Sequence, residues 1–566
     1  MCCVRILVLL AYNTLRLLTW PFRLLWWRLR FRSTRWVRLR LRGKLDELPR
    51  RQRGLAQLLG RFRPEPRSVL AVRQLVRRLL DDRKSTGLLL HLEHVEASHA
   101  TLASLHRELL VLRESGKRLL CFLPVGADQK ELFVASAADR VLAMPHAGFT
   151  ALGPLAARTY LAPLLQRLGL DVVVTAEGRY KTAAETLTRD SMSEPEREQL
   201  QAIVGTLLSE WSAALATRPP LGEAGAQRLL QQGVFGAKQA VELGAIDGCV
   251  YEDELSRELA LVAREGVLDD RTYLRRSAPM PRCFVPLTAS SRVAVVRLVG
   301  PIGERSNPRG IDLHGTTTLL RALARSRRVA GVILHIDSPG GSALVSELLH
   351  REIKQLDARK PVVAWMGGVA ASGGYYLAAA TRAIVAQPST LTGSIGVVSL
   401  RPVARRLLER LQVRRETVGL TPHADLHSLT RPPSSEEQAL LAAESARFYE
   451  RFLDVVAEGR ARPRAEIAEL AQGRVWSGRH AHEHGLVDVL GGYAEAREKL
   501  DALLVGQSIA KEPVLVHAPL RGAISPLPAR DAEGAAGGEL AGLRELFSLV
   551  LERERILAYA WELPRL

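Results

Sequence analysis

At 566 residues, 47% hydrophobic and 25% charged, the chain has a globular composition and room for two or three domains with sizeable cores. A net charge of +19 invites a nucleic-acid reading, but 69 of the 79 basic residues are arginine against 10 lysines, and no nucleic-acid-binding module is recognisable, so no nucleic acid is expected as a partner. Five cysteines (Cys2, Cys3, Cys121, Cys249 and Cys283) follow neither metal spacing nor an even disulfide framework.

Residues 4–29 are strongly apolar and rich in Trp and Leu, interrupted by Arg5, Arg16 and Arg23. A spanning helix wants about 20 residues with few charges. An interfacial helix tolerates arginine on one face and Trp on the other. Residues 1–33 are therefore expected to be a membrane anchor of one kind or the other, with a buried core helix as the plainer alternative. No small-residue cleavage site follows, which argues against a removable signal peptide. Next to a membrane, Cys2 and Cys3 would be open to acylation. Eight Lys/Arg lie between Arg28 and Lys44 against only Arg5 before the apolar run, a bias that places the flank on the cytoplasmic side.

An internal duplication follows. GLLLHLEHVEAS at 87–98 parallels GVILHIDSPGGS at 331–342, LFVASAADRVLAMP at 132–145 parallels YYLAAATRAIVAQP at 375–388, and GVFGAKQAVELGAIDG at 233–248 echoes RVWSGRHAHEHGLVDV at 474–489. The offsets of 244, 243 and 241 residues are nearly constant, which argues for two homologous copies. WVRLRLRGKL (36–45) and VAVVRLVGPI (293–302) both read as a strand entering a glycine turn. In the first, Val37, Leu39 and Leu41 alternate with Arg38, Arg40 and Arg42, so part of the basic run is a half-exposed strand. Short β-rich runs such as VAVVRLV, GVILHID, PVVAWM and AIVAQ alternate with helical stretches, which predicts an α/β fold with parallel βαβ units. The expected organisation is an anchor over 1–33, a first repeat over 34–253, a connection over 254–290, a second repeat over 291–515, and a linker with a C-terminal amphipathic helix over 516–566.

Two stretches of the second repeat carry chemistry. MGGVAASGGYYLAAAT (366–381) sets Ser372 among small residues between a strand and an apolar helix. A nucleophile needs exposure, room for a tetrahedral centre and backbone N–H groups aimed at the oxyanion. The plain alternative is a serine helix cap. HIDSPGGS (335–342) is a second strand-to-turn element, whose Gly340 and Gly341 permit close approach to a ligand. His480, His482 and His484 look like metal ligands, but only two share a helical face and no carboxylate or cysteine is spaced to join them, so no metal is expected.

DSPGG, ASGGYY, PSTLTGSIGV (388–397) and RVWSGRHAHEHGLVDVLGG (474–492), in this order, resemble the signal peptide peptidase A family in its long, duplicated form. The resemblance covers roughly residues 35–505. It implies tandem Clp-protease/crotonase-like domains, no cofactor, and a membrane-associated serine peptidase acting on cleaved signal peptides as a homo-oligomer, a tetramer for the duplicated form. It implies a location at the cell inner membrane with periplasmic catalytic domains, which the basic flank contradicts, so sidedness stays open. It also nominates Lys181, in EGRYKTAAETLTRD (177–190), as general base to Ser372, Gly341 and Gly373 as oxyanion donors, and Ser394 as the lysine's hydrogen-bond partner. A solvated lysine, with a pKa of about 10.4, stays protonated, so the base must be buried.

The repeat bears on that pairing. Ser372 corresponds to Gln129 in the first repeat, Lys181 corresponds to Ala424 in the second, and DSPGG aligns with EHVEA, which lacks both glycines. Each repeat has lost what the other keeps. The expectation is one dyad assembled from two repeats, with Nζ and Oγ at about 2.6–3.2 Å or looser without substrate. A crotonase-type acyl-CoA enzyme and a non-catalytic membrane scaffold are the competing functions; the first has no use for the dyad, and the second none for its retention.

Overall fold

The computed structural model describes residues 12–22, 24–25, 36–49, 68–219, 221–259, 266–277, 291–304, 310–505 and 513–516. Residues 12–22 are helical, with Leu15, Leu18 and Phe22 exposed. Among the described residues no helix is long and apolar enough to cross a membrane. Most of the expected anchor, including Cys2 and Cys3, and the expected C-terminal helix lie outside the described residues.

The chain divides into two compact units, one of residues 1–153 with 208–291, the other of 154–207 with 292–566. Each is built on a parallel sheet. In the first unit the strand order is Val267–Asp269, Trp36–Lys44, Gly87–Glu96, Arg118–Leu123, Arg140–Ala143, Gly248–Cys249. The alternation in Trp36–Lys44 works as its sequence predicts. Val37, Leu39 and Leu41 are buried, whereas Arg38 and Arg40 reach outward to Asp269 and Glu252. Within 254–290, Val267–Asp269 supplies this sheet with an edge strand.

The second unit repeats the order: Val514–Val516, Arg292–Val299, Val329–Ser338, Val362–Ala371, Ala383–Ala386, Val489–Leu490, all parallel. Strand for strand it matches the first sheet, which gives the duplication a structural counterpart. Beyond Met366 the strand Val362–Ala371 pairs with Leu391–Gly393, and that strand pairs antiparallel with Val475–Ser477. The fully buried Val332, Leu334 and Ile336 of the central strand pack against Val345, Leu349 and Ile353 of helix Ala343–Asp357, whose apolar positions recur at helical spacing.

Residues 154–207 come from the first repeat in sequence but belong to the second unit. Their strand Asp171–Glu177 runs antiparallel to Val397–Val403, from Asp171 opposite Val403 to Glu177 opposite Val397. Leu165 and Leu170 pack with Ala404 and Leu407, and the N–H of Leu407 donates to the carbonyl of Gly169 at 2.9 Å. This ladder carries the residues after Glu177 to the C-terminal ends of the second sheet's strands.

Candidate active site

Ser372 sits at the step from strand Val362–Ala371 into helix Gly373–Ala378, with φ 53° and ψ −118°. A side chain rarely holds that conformation, and strain of this kind gathers at functional positions. The turn is clamped by the Ser372 N–H donating to Gly393 O at 2.8 Å. Although Ser372 occupies the N-cap position, its side chain makes no capping hydrogen bond. The plain reading of the residue as a helix cap is therefore not what the structure contains.

The Pro-Gly-Gly turn lies directly against it. A Cβ on Gly340, whose φ is +101°, would stand 2.8 Å from Gly373 N and 2.9 Å from Ser372 Cβ, so only glycine allows the two turns to meet. Ile302 bridges to Gly341 by donating to Gly340 O and accepting from Ser342 N. That pattern uses the groups flanking Gly341 and leaves its own N–H pointing away from Ile302. Gly373 opens the helix, where backbone N–H groups have no intrahelical acceptor.

Lys181 enters from the segment after Asp171–Glu177. Its Nζ lies 3.3 Å from Ser372 Oγ and donates to Ser394 O at 2.8 Å and Ser394 Oγ at 2.9 Å. The residue is only 9% exposed, and burial lowers its pKa from 10.5 to about 7. Ser394 is itself strained, with φ 51°, and is tied by its N–H to Arg474 O at 2.7 Å. The structure thus brings Ser372, Lys181, Ser394, Gly341 and Gly373 into one neighbourhood of one unit.

Several residues that hold this arrangement were not singled out in the sequence. Gln199, buried on helix Glu194–Ala216, donates from Nε2 to Thr182 Oγ1 at 2.8 Å and to Tyr180 O at 3.4 Å, and accepts from Val475 N at 3.2 Å. Tyr180 N donates to Gln472 O at 2.7 Å. The Arg474 guanidinium covers the rings of Tyr180 and Trp476 and pairs with Glu198 at 2.9 Å. Gly473, φ +72°, abuts the lysine so closely that a Cβ there would lie 2.6 Å from Lys181 Cβ. A lone glutamine on a polar helix face carries no motif, so Gln199 had no signal to be found by; Gly473 directly precedes the RVWSG motif.

The corresponding region of the first unit is closed by its own side chains. Gln129 opens helix Gln129–Ala135, capped by Asp128, whose carboxylate accepts from Lys130 N at 2.6 Å. Glu131 accepts from Val95 N at 2.7 Å and Asp128 N at 3.0 Å. Burial raises the Glu131 pKa. The N–H of Lys130, the counterpart of Gly373, is thus occupied by a carboxylate here. As for the histidines, His480 contacts Ser477 Oγ, His482 contacts Val487 O, and His484 packs on Trp476. No cluster of potential metal ligands occurs among the described residues.

A strained serine within reach of a buried lysine, beside two glycine turns, is the arrangement of a serine hydrolase. The family model described as Peptidase family S49 matches the chain twice, over residues 115–264 and 354–507. The chain therefore belongs to peptidase family S49, as a serine peptidase of the signal peptide peptidase A type. It is 32% identical over 427 residues to "Serine protease SPPA, chloroplastic" of Arabidopsis thaliana, an alignment covering 73% of this chain and 62% of that protein. It is 31% identical to "Protease 4" of Salmonella typhi over 77% of this chain and 72% of that one, and 27% identical to "Protease 4" of Haemophilus influenzae over 81% and 77%. Among solved structures, a ClpP1 mutant from Listeria monocytogenes matches 36% of this chain and 93% of its own at 17% identity, with a TM-score of 0.25.

Proposed function

We propose that the protein is a membrane-associated, ATP-independent serine endopeptidase that cleaves flexible apolar peptides, remnant signal peptides among them, with Ser372 as nucleophile and Lys181 as general base. The single observation carrying this reading is the 3.3 Å approach of a buried Lys181 Nζ to Ser372 Oγ. A neutral amine has two N–H bonds and one lone pair. Ser394 O and Oγ accept the two N–H bonds, so the lone pair is left for the serine proton.

As Ser372 Oγ bonds to the scissile carbonyl carbon, its proton passes to Lys181 Nζ. The carbonyl oxygen becomes an oxyanion, held by the N–H groups of Gly341 and Gly373. When the C–N bond breaks, the lysine ammonium gives its proton to the leaving amine, which departs with the C-terminal part of the peptide. Water then attacks the acyl ester, its proton goes to Lys181, and Ser372 leaves reprotonated. No cofactor enters these steps.

The remaining parts of the reading are tandem Clp-protease/crotonase-like domains, an N-terminal anchor or interfacial helix at the cell inner membrane, and assembly into a homo-tetramer with the sites facing an inner space. The exposed apolar residues of helix 12–22 support membrane contact. Protease protection in intact and opened spheroplasts decides which side the body occupies. The catalytic reading is tested with a serine-directed covalent probe on the full-length protein. Labelling is expected to vanish in Ser372→Ala and to weaken strongly in Lys181→Ala; a folded, assembled protein that takes no label overturns it.

A further inference from the structure

Arg474 holds the lysine's surroundings from two sides at once. Its carbonyl accepts from Ser394 N at 2.7 Å, and Ser394 O and Oγ accept from Lys181 Nζ at 2.8 and 2.9 Å. Its guanidinium carbon lies 4.7 Å from the ring centre of Tyr180, the residue before the lysine, and 4.4 Å from that of Trp476. Glu198 on helix Glu194–Ala216 closes the group. One carboxylate oxygen pairs with Arg474 Nη1 at 2.9 Å, and the other accepts from Tyr180 Oη at 2.8 Å. All of these residues belong to the second unit.

The backbone leading into Arg474 runs between the lysine segment and the Ser394 turn. Tyr180 N donates to Gln472 O at 2.7 Å, and Gly473 N donates to Ile395 O at 2.8 Å. These bonds fix the main chains; the guanidinium adds a planar cation that covers two rings and pairs with a carboxylate at the same time. The duplication supplies a control. In the second unit Leu391–Gly393 runs antiparallel to Val475–Ser477, and the Ser394–Arg474 bond continues that ladder. In the first unit Gly148–Ala151 runs antiparallel to Gly233–Gly236, with Ala151 opposite Gly233 at the place of Ser394 and Arg474. The ladder therefore forms without an arginine. Serine and arginine stand at these two places only in the unit that also holds the lysine.

We propose that Arg474 is a positioning residue for the general base: its carbonyl orients Ser394 toward Lys181 Nζ, while its guanidinium, stacked on Tyr180 and paired with Glu198, holds the lysine-bearing segment closed against the Ser394 turn. Arg474 acts through Tyr180 and Ser394 and takes no proton itself. Burial is what keeps the lysine able to accept a proton, so opening this segment to water returns the amine toward its charged form. The inference rests on the peptidase reading and adds to it the residue that keeps the base in place.

The test compares pH profiles of peptide cleavage for the full-length protein, Arg474→Met, Arg474→Lys, Tyr180→Leu and the Arg474→Met/Tyr180→Leu pair, each at a temperature where its melt shows it folded. Arg474→Met is expected to lower kcat about tenfold to a hundredfold with KM little changed. Its acid limb in kcat/KM is expected to move about one pH unit toward alkaline, a displacement that plain loss of stability would not produce. Arg474→Lys keeps the charge without the planar fork and is expected to restore little. Tyr180→Leu, which takes the ring from under the guanidinium, is expected to repeat the Arg474→Met profile and carries the test if that variant does not fold. The double variant is expected to be no worse than either single one, because both break one clamp. A folded Arg474→Met or Tyr180→Leu with the parent's acid limb overturns the inference, as do losses that add in the double variant. A parent whose Ser372 takes no serine probe fails the peptidase reading instead; a labelled, active parent beside unchanged variants fails this inference alone.

Discussion

Gln199 and Thr182 are joined by a 2.8 Å hydrogen bond next to the lysine in sequence, and the same glutamine accepts from Val475 N at 3.2 Å. The amide thus fastens the lysine-bearing segment to the strand that flanks Ser394. Gln199→Met removes the donors and the acceptor at similar volume and leaves the part-buried N–H of Val475 without its side-chain acceptor, a loss of about 1 kcal/mol. Because a slight misplacement of the base is costly, kcat should fall about tenfold to a hundredfold with KM little changed. Gln199→Glu keeps the acceptor and should recover stability more than kcat. Steady-state kinetics and thermal melts separate the two effects; an unchanged kcat would remove Gln199 from the positioning of Lys181.

Activity should depend on pH through the lysine. With burial holding Lys181 near pKa 7, the free enzyme gains its base as pH rises through about 7, and kcat/KM should climb tenfold per unit below that point and level off above it. Lys181→Arg, which stays charged at any working pH, should be inactive across the range. A pH profile of peptide cleavage checks both, and an acid limb near pH 10 would mean a solvated, protonated lysine.

Stability should show the same group with the opposite consequence. Between pH 7 and 10.5 the unfolded chain keeps a proton on Lys181 that the folded chain has released, so stability rises with pH over that window, and the cost of burying the amine is fully present below pH 7. Lys181→Met should therefore be more stable than the parent by about 1–3 kcal/mol at pH 7 or below, the unpaired Ser394 oxygens offsetting part of the gain. The difference should shrink toward pH 10. Chemical denaturation at several pH values measures it.

Glu131 supplies the contrast. It closes the first unit's counterpart of the serine turn by accepting from Val95 N and Asp128 N. Glu131→Ala should destabilise the protein by about 1–3 kcal/mol through those two unpaired donors. Probe labelling at Ser372 should be unchanged at temperatures where the variant is folded. Loss of labelling in a folded variant would give Glu131 a part in catalysis.

What the sequence by itself determined was local or repetitive. The alternation of Val37, Leu39 and Leu41 with arginines, the βαβ rhythm, the near-constant offset and the glycine turns around Ser372 are all set by residues close in the chain, where period and turn chemistry are readable. It also showed that neither repeat keeps both Ser372 and Lys181. Only the tertiary structure decided how they meet. The ladder between Asp171–Glu177 and Val397–Val403 joins segments more than 200 residues apart, and nothing in either strand's own pattern names its partner. The same holds for Gln199, an unremarked amide until the fold sets Thr182 and Val475 on either side of it, and for Ser372, whose composition suits a helix cap until its φ of 53° and the approach of Lys181 give it another part.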